Sequence, residues 1–159
     1  MAGASRTDTV DIARPAIEAA RRNFELNGLS TAPEVAGFHA VDAFEFLWRA
    51  IKSGEQWDIV VSDPPSFARR KDDLPAARNA YTRLHRLAAS VTKPGGLLSA
   101  ASCSSHLRAP DFLATVESGV RQSGRRWTLE GMYGASFDHP VLEAFPEGDY
   151  LKIAVGRLI

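Results

Sequence analysis

The sequence is poor in cysteine and contains no long apolar run. One cysteine among 159 residues excludes an internal disulfide framework and favours a reducing compartment. No apolar stretch approaches the length needed to cross a bilayer, and residues 1–9 lack the apolar core of a signal peptide. The formal net charge is +0, so no bulk positive field favours nucleic acid. These absences predict a cytoplasmic protein without a membrane segment.

Strand-like and helix-like patterns alternate along the whole chain. A length of 159 residues with 45% apolar content suits one domain with a single core. Helices between strands imply right-handed crossovers and a mostly parallel α/β sheet, and the last two strands, with no helix between them, predict an antiparallel edge. The predicted strands end at or cover 9–12, 35–41, 57–62, 97–102, 127–133 and 150–158, and the predicted helices cover 15–27, 42–54, 75–93 and 110–124.

The most informative motif is Asp63-Pro64-Pro65-Ser66-Phe67, which directly follows the apolar run 57–62. Proline cannot donate to a strand ladder and restricts the residue before it, so the strand is expected to end here. The carboxyl edge of an open α/β sheet is where ligands bind. Asp63 presents a carboxylate at this edge, which suits a planar, amino-bearing ring such as a nucleobase.

The single cysteine, Cys103, lies in the polar segment 102–106, Ser-Cys-Ser-Ser-His. This segment ends the strand that is predicted beside the strand of Asp63. A lone cysteine is usually a small buried hydrophobic residue. However, Cys103 follows the apolar run and lies among hydroxyls and a histidine, where a thiolate could be exposed and stabilised. Both interpretations stay open on the sequence alone.

Two further acids follow predicted strands near the start of the chain. Asp11 could accept both hydroxyls of a ribose, as acids at this position do in nucleotide-binding folds, or could be an ordinary acid at a helix entry. Asp42 could bind an exocyclic amine while Phe44 flanks an adenine ring, or could cap the following helix, as its spacing to Glu45 indicates. His139 is either a structural histidine of the last polar loop or a catalytic group.

Eight motifs in order resemble one enzyme family. They match the class I S-adenosylmethionine-dependent methyltransferase domain of the bacterial 23S ribosomal RNA large-subunit methyltransferase I type, which makes 5-methylcytosine. The resemblance covers nearly the whole chain, and it implies a Rossmann-like sheet, S-adenosylmethionine as the cofactor and 23S ribosomal RNA as the partner. The matching segments are Asp11, 23–29, 42–44, 63–67, 94–96, 102–104, 138–140 and 146–152.

The resemblance also implies roles for single residues. Cys103 would add to C6 of cytosine and turn the ring into an enamine that can accept a methyl group at C5. Asp63 would protonate N3, and the base would be unpaired or flipped to enter the site. The implied cofactor contacts are Asp11, Asp42, Ala43, Phe44, Asp63 and Pro64, the implied substrate contacts are Pro65, Ser66, Phe67 and His139, and no metal ligand is implied.

Two other interpretations compete with C5 transfer. An exocyclic amino methyltransferase places an acid-Pro-Pro-aromatic motif against the amine and needs no thiol. Here Ser66 occupies the aromatic position and Phe67 comes one residue later, which weakens that interpretation. A domain used only for protein contacts would require Asp63 and Cys103 both to be buried.

The chain departs from the family pattern at its start. Ten residues precede Asp11, so the sequence lacks the first strand and glycine-rich loop of a class I methyltransferase, and also the family's PUA-type RNA-binding domain. That strand normally lies in mid-sheet, and its loss would leave backbone groups unpaired. We therefore expect 1–159 to form one incomplete catalytic domain, completed by closing of the flanking strands, by a second copy in a homodimer or by a longer amino-terminal segment. A non-catalytic remnant with weak cofactor binding is a further interpretation.

Overall fold

The computed structural model describes residues 3–68, 70–136, 138, 148 and 150–159. Within these ranges helices and strands alternate, as the sequence pattern predicts. In chain order the elements are β1 (Thr7–Asp11), α1 (Arg14–Leu26), β2 (Ala36–Ala40), α2 (Ala43–Ser53), β3 (Trp57–Ser62), a 3-10 helix (Lys71–Asp73), α3 (Leu74–Val91), β4 (Thr92–Ser102), α4 (Ala109–Gln122), β5 (Trp127–Tyr133) and β6 (Lys152–Leu158).

The chain divides into two compact units, Met1–Arg49 and Ala50–Ile159. In the first unit β1 and β2 form a parallel pair, with Asp11 opposite Ala40. The second unit contains a four-stranded sheet in the order β3-β4-β6-β5. β3 and β4 are parallel, and β6 runs antiparallel to both β4 and β5. The predicted α/β class with an antiparallel section is confirmed, while the single domain over 1–159 stays a prediction.

In the first unit, proline and glycine set the limits of α1. Pro15 lies in the first turn of α1. The N–H groups of a first turn have no acceptor within the helix, so the lack of an N–H in proline costs no hydrogen bond there. Gly28 follows the helix with φ +65°, a left-handed conformation that glycine adopts without a steric penalty. α1 packs on the strand pair through the ring of Phe24, which meets Phe38 of β2 edge-on with 5.2 Å between centroids.

The core of the second unit lies between its sheet and helices α3 and α4. Leu98 and Ala100 of β4 point into this core and are fully buried, while Ile59 and Val61 on β3 are 61% and 69% exposed. α4 approaches α3 closely at Gly119, since a Cβ there would lie 2.7 Å from the carbonyl oxygen of Thr82. Within the described ranges, no helix is both long and apolar enough to cross a membrane.

β4 is longer than the sequence pattern predicts. The segment 94–96 was expected to be a turn before a strand over 97–102, but the strand already begins at Thr92, which pairs with Trp57 of β3. The register between the two strands shifts before Ile59 pairs with Leu97, and Gly95 has φ +77°. A glycine irregularity inside a paired strand therefore accounts for the turn-like sequence.

His85 is a fully buried polar residue in the core between α3 and α4. Its Nδ1 lies 3.4 Å from the hydroxyl of Thr115, and that hydroxyl donates to the carbonyl of Phe112, so it can only accept from His85. The ring is therefore neutral with its proton on Nδ1, and Nε2 has no partner among the described residues. Burial lowers the pKa of His85 from 6.5 to about 4.

This buried histidine predicts a loss of stability in acid. Between pH 6.5 and about 4 the unfolded chain takes up a proton at His85 that the folded chain resists, so the free energy of unfolding falls as the pH falls. The shift in pKa corresponds to about 3 kcal/mol, and the loss levels off below pH 4, where both states are protonated. Urea denaturation across this pH range measures the effect.

His85→Gln is expected to remove this part of the pH dependence. His106→Gln, at an exposed loop position, is expected to keep it. Equal slopes of unfolding free energy against pH in the two variants would contradict the assignment.

Candidate active site

The parallel pairing of β3 and β4 brings the ends of both strands to one edge of the sheet. Ser62, the last residue of β3, lies opposite Ala100, and β4 ends two residues later at Ser102. Asp63 and Cys103 are the residues that directly follow the two strands. Asp63 is exposed and Cys103 is half-buried. The protein-contact interpretation, which requires both to be buried, is therefore wrong.

The phenol of Tyr81 on α3 is hydrogen-bonded to the residue directly before Cys103. Tyr81 is fully buried, and its hydroxyl oxygen lies 2.9 Å from Oγ of Ser102. Burial raises the pKa of Tyr81, hydrogen bonds with Ser102 and the backbone of Phe67 oppose the rise, and the charges of Cys103 and Asp63 add to it. Both site residues thus lie within electrostatic reach of one neutral phenol. A carboxyl and a thiol in this arrangement could protonate an electron-poor ring and add to it.

Hydrogen bonds hold both neighbours of Cys103. The backbone N–H of Ser104 donates to Oγ of Ser102 over 3.3 Å, and the hydroxyl of Ser104 donates to the carbonyl of Ala68 over 3.0 Å. Ser102 and Ser104 are both buried. Because Ala68 follows the 63–67 segment, this bond joins the loop after β3 to the loop after β4.

Lys152 at the start of β6 is a buried lysine beside the same segment. It is 5% exposed, and its Nζ donates to the carbonyl of Ser104 and, over 2.7 Å, to the carbonyl of Tyr150. β6 pairs with β4 so that Lys152 lies opposite Ser102. A charged donor therefore fixes the backbone one residue after Cys103.

The Pro-Pro segment has a defined conformation. Pro64 is half-buried and Pro65 is exposed. The hydroxyl of Ser66 donates to the carbonyl of Ala68 over 3.1 Å, and the ring of Phe67 packs on Tyr81 with 4.7 Å between centroids. Phe67 is thus held against the core, and the substrate contacts of residues 65–67 stay predictions.

In the first unit, Asp11 and Asp42 lie at the carboxyl edge of the β1–β2 pair. Asp11 is exposed, and its Oδ1 accepts the N–H of Ala13 over 2.7 Å, which orients the carboxylate and leaves Oδ2 for another donor. Asp42 accepts the N–H of Glu45 over 3.1 Å, so its predicted role as a helix cap is confirmed. Phe44 follows on the first turn of α2 and is half-buried. A carboxylate held in this way fits the hydroxyls of a ribose, so these residues suit the implied cofactor.

Some of the site lies beyond the sequence predictions. Tyr81 and Lys152 were not predicted as site residues. The available signal for Tyr81 was a tyrosine on the apolar stripe of α3, since a buried phenol needs a hydrogen-bond partner. The candidate His139 lies outside the described residues.

The chain matches a known protein family. The profile described as S-adenosylmethionine-dependent methyltransferase matches residues 1–134. A ribosomal RNA large subunit methyltransferase of Deinococcus radiodurans is 40% identical over 153 residues, which cover 94% of this chain and 36% of that protein. Ribosomal RNA large subunit methyltransferase I of Photobacterium profundum is 37% identical over 150 residues, covering 94% of this chain and 37% of that protein. The chain thus spans little more than a third of the length of these relatives.

Solved structures share the fold. A crystal structure of a methyltransferase complexed with SAH has a TM-score of 0.83 at 25% identity, and the aligned region covers 99% of this chain and 40% of that protein's chain. A SAM-dependent methyltransferase from Streptococcus mutans has a TM-score of 0.84 at 24% identity, and the aligned region covers 99% of this chain and 39% of that protein's chain. The predicted Rossmann-like methyltransferase fold is confirmed.

The contacts of Lys152 predict a stability effect that surface lysines lack. Lys152→Met keeps an apolar stem of similar length but removes the charged donor of two carbonyls, so we expect the free energy of unfolding to fall by about 3 kcal/mol. Lys93→Met is the control, because it breaks only an exposed ion pair with Asp58 and should cost much less than Lys152→Met. Urea denaturation compares the two variants, and an equal loss in both would contradict a structural role for the buried ammonium.

Proposed function

The chain belongs to the S-adenosylmethionine-dependent methyltransferase family, and from this membership we propose that it methylates C5 of a cytosine in 23S ribosomal RNA. Relatives named as ribosomal RNA large subunit methyltransferases support RNA as the substrate. The observation that carries the proposal is the pair formed by Asp63 and Cys103. An exposed carboxyl and a half-buried thiol follow neighbouring parallel strands, and Ser102, directly before the thiol, is hydrogen-bonded to the hydroxyl of Tyr81.

The proposed chemistry begins with the thiol. C5 of cytosine is a poor nucleophile until a thiolate adds to C6, so Cys103 Sγ forms a bond to C6 while Asp63 donates a proton to N3. The ring is then an enamine with electron density at C5. S-adenosylmethionine, when bound, supplies the electrophilic methyl group. Loss of the C5 proton to a base and return of the N3 proton to Asp63 then restore the C5–C6 double bond and expel Cys103 as a thiolate.

We propose that the first unit holds the adenosyl part of the cofactor. The oriented carboxylate of Asp11 would accept the ribose hydroxyls, while Asp42, Ala43 and Phe44 would border the adenine. Asp42 would use the oxygen that does not cap α2. In the second unit, Asp63 and Pro64 would lie near the transferring methyl, and Pro65 and Ser66 would contact the base.

The packing of Phe67 favours C5 transfer over amino transfer. An amino methyltransferase needs an aromatic ring against the target base. Here the ring of Phe67 packs on Tyr81 and on the core of the second unit, and Ser66 occupies the preceding position with its hydroxyl bonded to Ala68. Phe67 therefore does not stand at the position that the amino methyltransferase motif gives to its aromatic residue.

We also propose that the protein is cytoplasmic. A further strand would pair with an outer strand of this chain. β1 and β3 are outer strands, each with one edge that pairs with no strand of the described chain. Ile59 and Val61 on β3 are exposed, although apolar β-branched residues are typical of covered parallel strands. A second copy of the chain or a longer amino-terminal segment would supply the strand.

A trapping experiment tests the proposed chemistry. RNA that carries 5-fluorocytidine cannot lose a proton from C5, so the bond between Cys103 and C6 persists after methyl transfer and survives denaturing electrophoresis. We expect a covalent complex with the protein in the presence of S-adenosylmethionine, and none with Cys103→Ser. Ser105→Ala, at an exposed neighbouring hydroxyl, is the matched control and should retain the complex. Methyl incorporation that survives Cys103→Ser would support amino transfer, and neither methyl incorporation nor a complex would support a remnant without activity.

A further inference from the structure

Tyr81 is a polar side chain in a position where a purely apolar one would fill the same space. It is fully buried on α3, and its ring contacts Phe67, Phe112 and His85 with centroid distances of 4.7, 5.8 and 5.9 Å. Phenylalanine would retain these contacts. The hydroxyl is therefore the part of Tyr81 that packing does not explain.

The hydroxyl of Tyr81 acts on the residue directly before Cys103. It lies 2.9 Å from Oγ of Ser102, and the same Oγ accepts the N–H of Ser104. Either hydroxyl can be the donor in the bond between Tyr81 and Ser102. Oγ of Ser102 is thus bonded both to α3 and to the backbone on the far side of Cys103.

The segment around Cys103 is also bonded to the loop that begins at Asp63. The hydroxyl of Ser104 donates to the carbonyl of Ala68, which follows the 63–67 segment. Burial raises the pKa of Tyr81, and the charges of Cys103 and Asp63 contribute to the rise, so the phenol stays protonated near neutral pH. Both neighbours of Cys103 are therefore held, Ser102 by Tyr81 and Ser104 by the loop after β3.

We propose that Tyr81 is a positioning residue, whose hydroxyl fixes Ser102 and, through it, the orientation of Cys103 relative to Asp63. This inference rests on the proposed function, since it assigns to Cys103 the role of nucleophile. In C5 transfer the thiol must approach C6 while the acid faces N3 of the same ring, so an error in their relative position slows the addition. Tyr81 itself does not touch the reacting atoms in this account.

Alkylation of the cysteine provides a test that needs no methyl transfer. Cys103 is the only cysteine, so iodoacetamide reports on this residue alone. In Tyr81→Phe the half-buried thiol loses the restraint on Ser102, and we expect its alkylation rate in the folded protein to rise by about twofold to tenfold, the equivalent of one hydrogen bond. The rate in urea should not change. Thr92→Val is the matched control, because it removes a buried hydroxyl at the opposite end of β4.

A double-mutant cycle tests the route through Ser102. If the two hydroxyls act through their mutual hydrogen bond, Tyr81→Phe combined with Ser102→Ala should alkylate no faster than the faster single variant. Independent, additive effects would contradict that route. The proposal is overturned if Tyr81→Phe alkylates at the wild-type rate, or if Thr92→Val raises the rate equally.

Adduct formation with 5-fluorocytidine RNA provides the second measurement. We expect Tyr81→Phe to form the adduct about twofold to tenfold more slowly than the wild type, although its thiol reacts faster with iodoacetamide. General destabilisation does not produce these opposite changes. A wild-type protein that forms no adduct would refute the proposed function, while the alkylation rates would still decide the role of Tyr81.

Discussion

The parallel pairing of β3 with β4 is the constraint on which the candidate site depends. Two parallel neighbours end at the same edge of a sheet, so the residues that follow them, Asp63 and Cys103, are brought to one edge although they are 40 positions apart in the chain. Proline after Asp63 stops the first strand, and polar residues stop the second. Strand pairing alone does not orient a thiol, which is why the contacts made by α3 matter.

The buried face of α3 supplies that orientation. Tyr81 and His85 lie one turn apart on this helix, and their rings are stacked inside a core that also contains Phe112. Gly119 lets α4 approach closely enough to close this core. Around Cys103, Lys152 adds a charged hydrogen bond from β6. Groups on a helix and two strands therefore hold the segment, and side chains held by packing and hydrogen bonds keep the geometry that catalysis needs.

Much of the second unit could be predicted from local sequence, and the exceptions have physical causes. The bounds of β3 were predicted correctly because a β-branched run ends at Asp63 and two prolines. The start of β4 was missed because Gly95 permits an irregularity inside a paired strand, which looks like a turn in the sequence. Tyr81 was missed because an aromatic residue on the apolar stripe of a helix indicates core packing. Lys152 was missed because a lysine at the start of a strand is usually exposed. In both cases the role depends on partners distant in sequence. Division into two compact units was not predicted either, since alternating patterns carry no information on how the elements cluster.

The proposed function directs the family's methyl chemistry to carbon in this chain. Asp63 is compatible with a ring carbon or an amine as the acceptor, whereas the thiol of Cys103 is needed for transfer to carbon and not for transfer to an amine. The most direct test is the identity of the modified nucleoside. Ribosomal RNA is incubated with the protein and S-adenosylmethionine that carries a deuterated methyl group, then digested to nucleosides and analysed by mass spectrometry with chromatographic standards. We expect deuterated 5-methylcytidine; label on an exocyclic nitrogen of cytidine, adenosine or guanosine would contradict transfer to carbon.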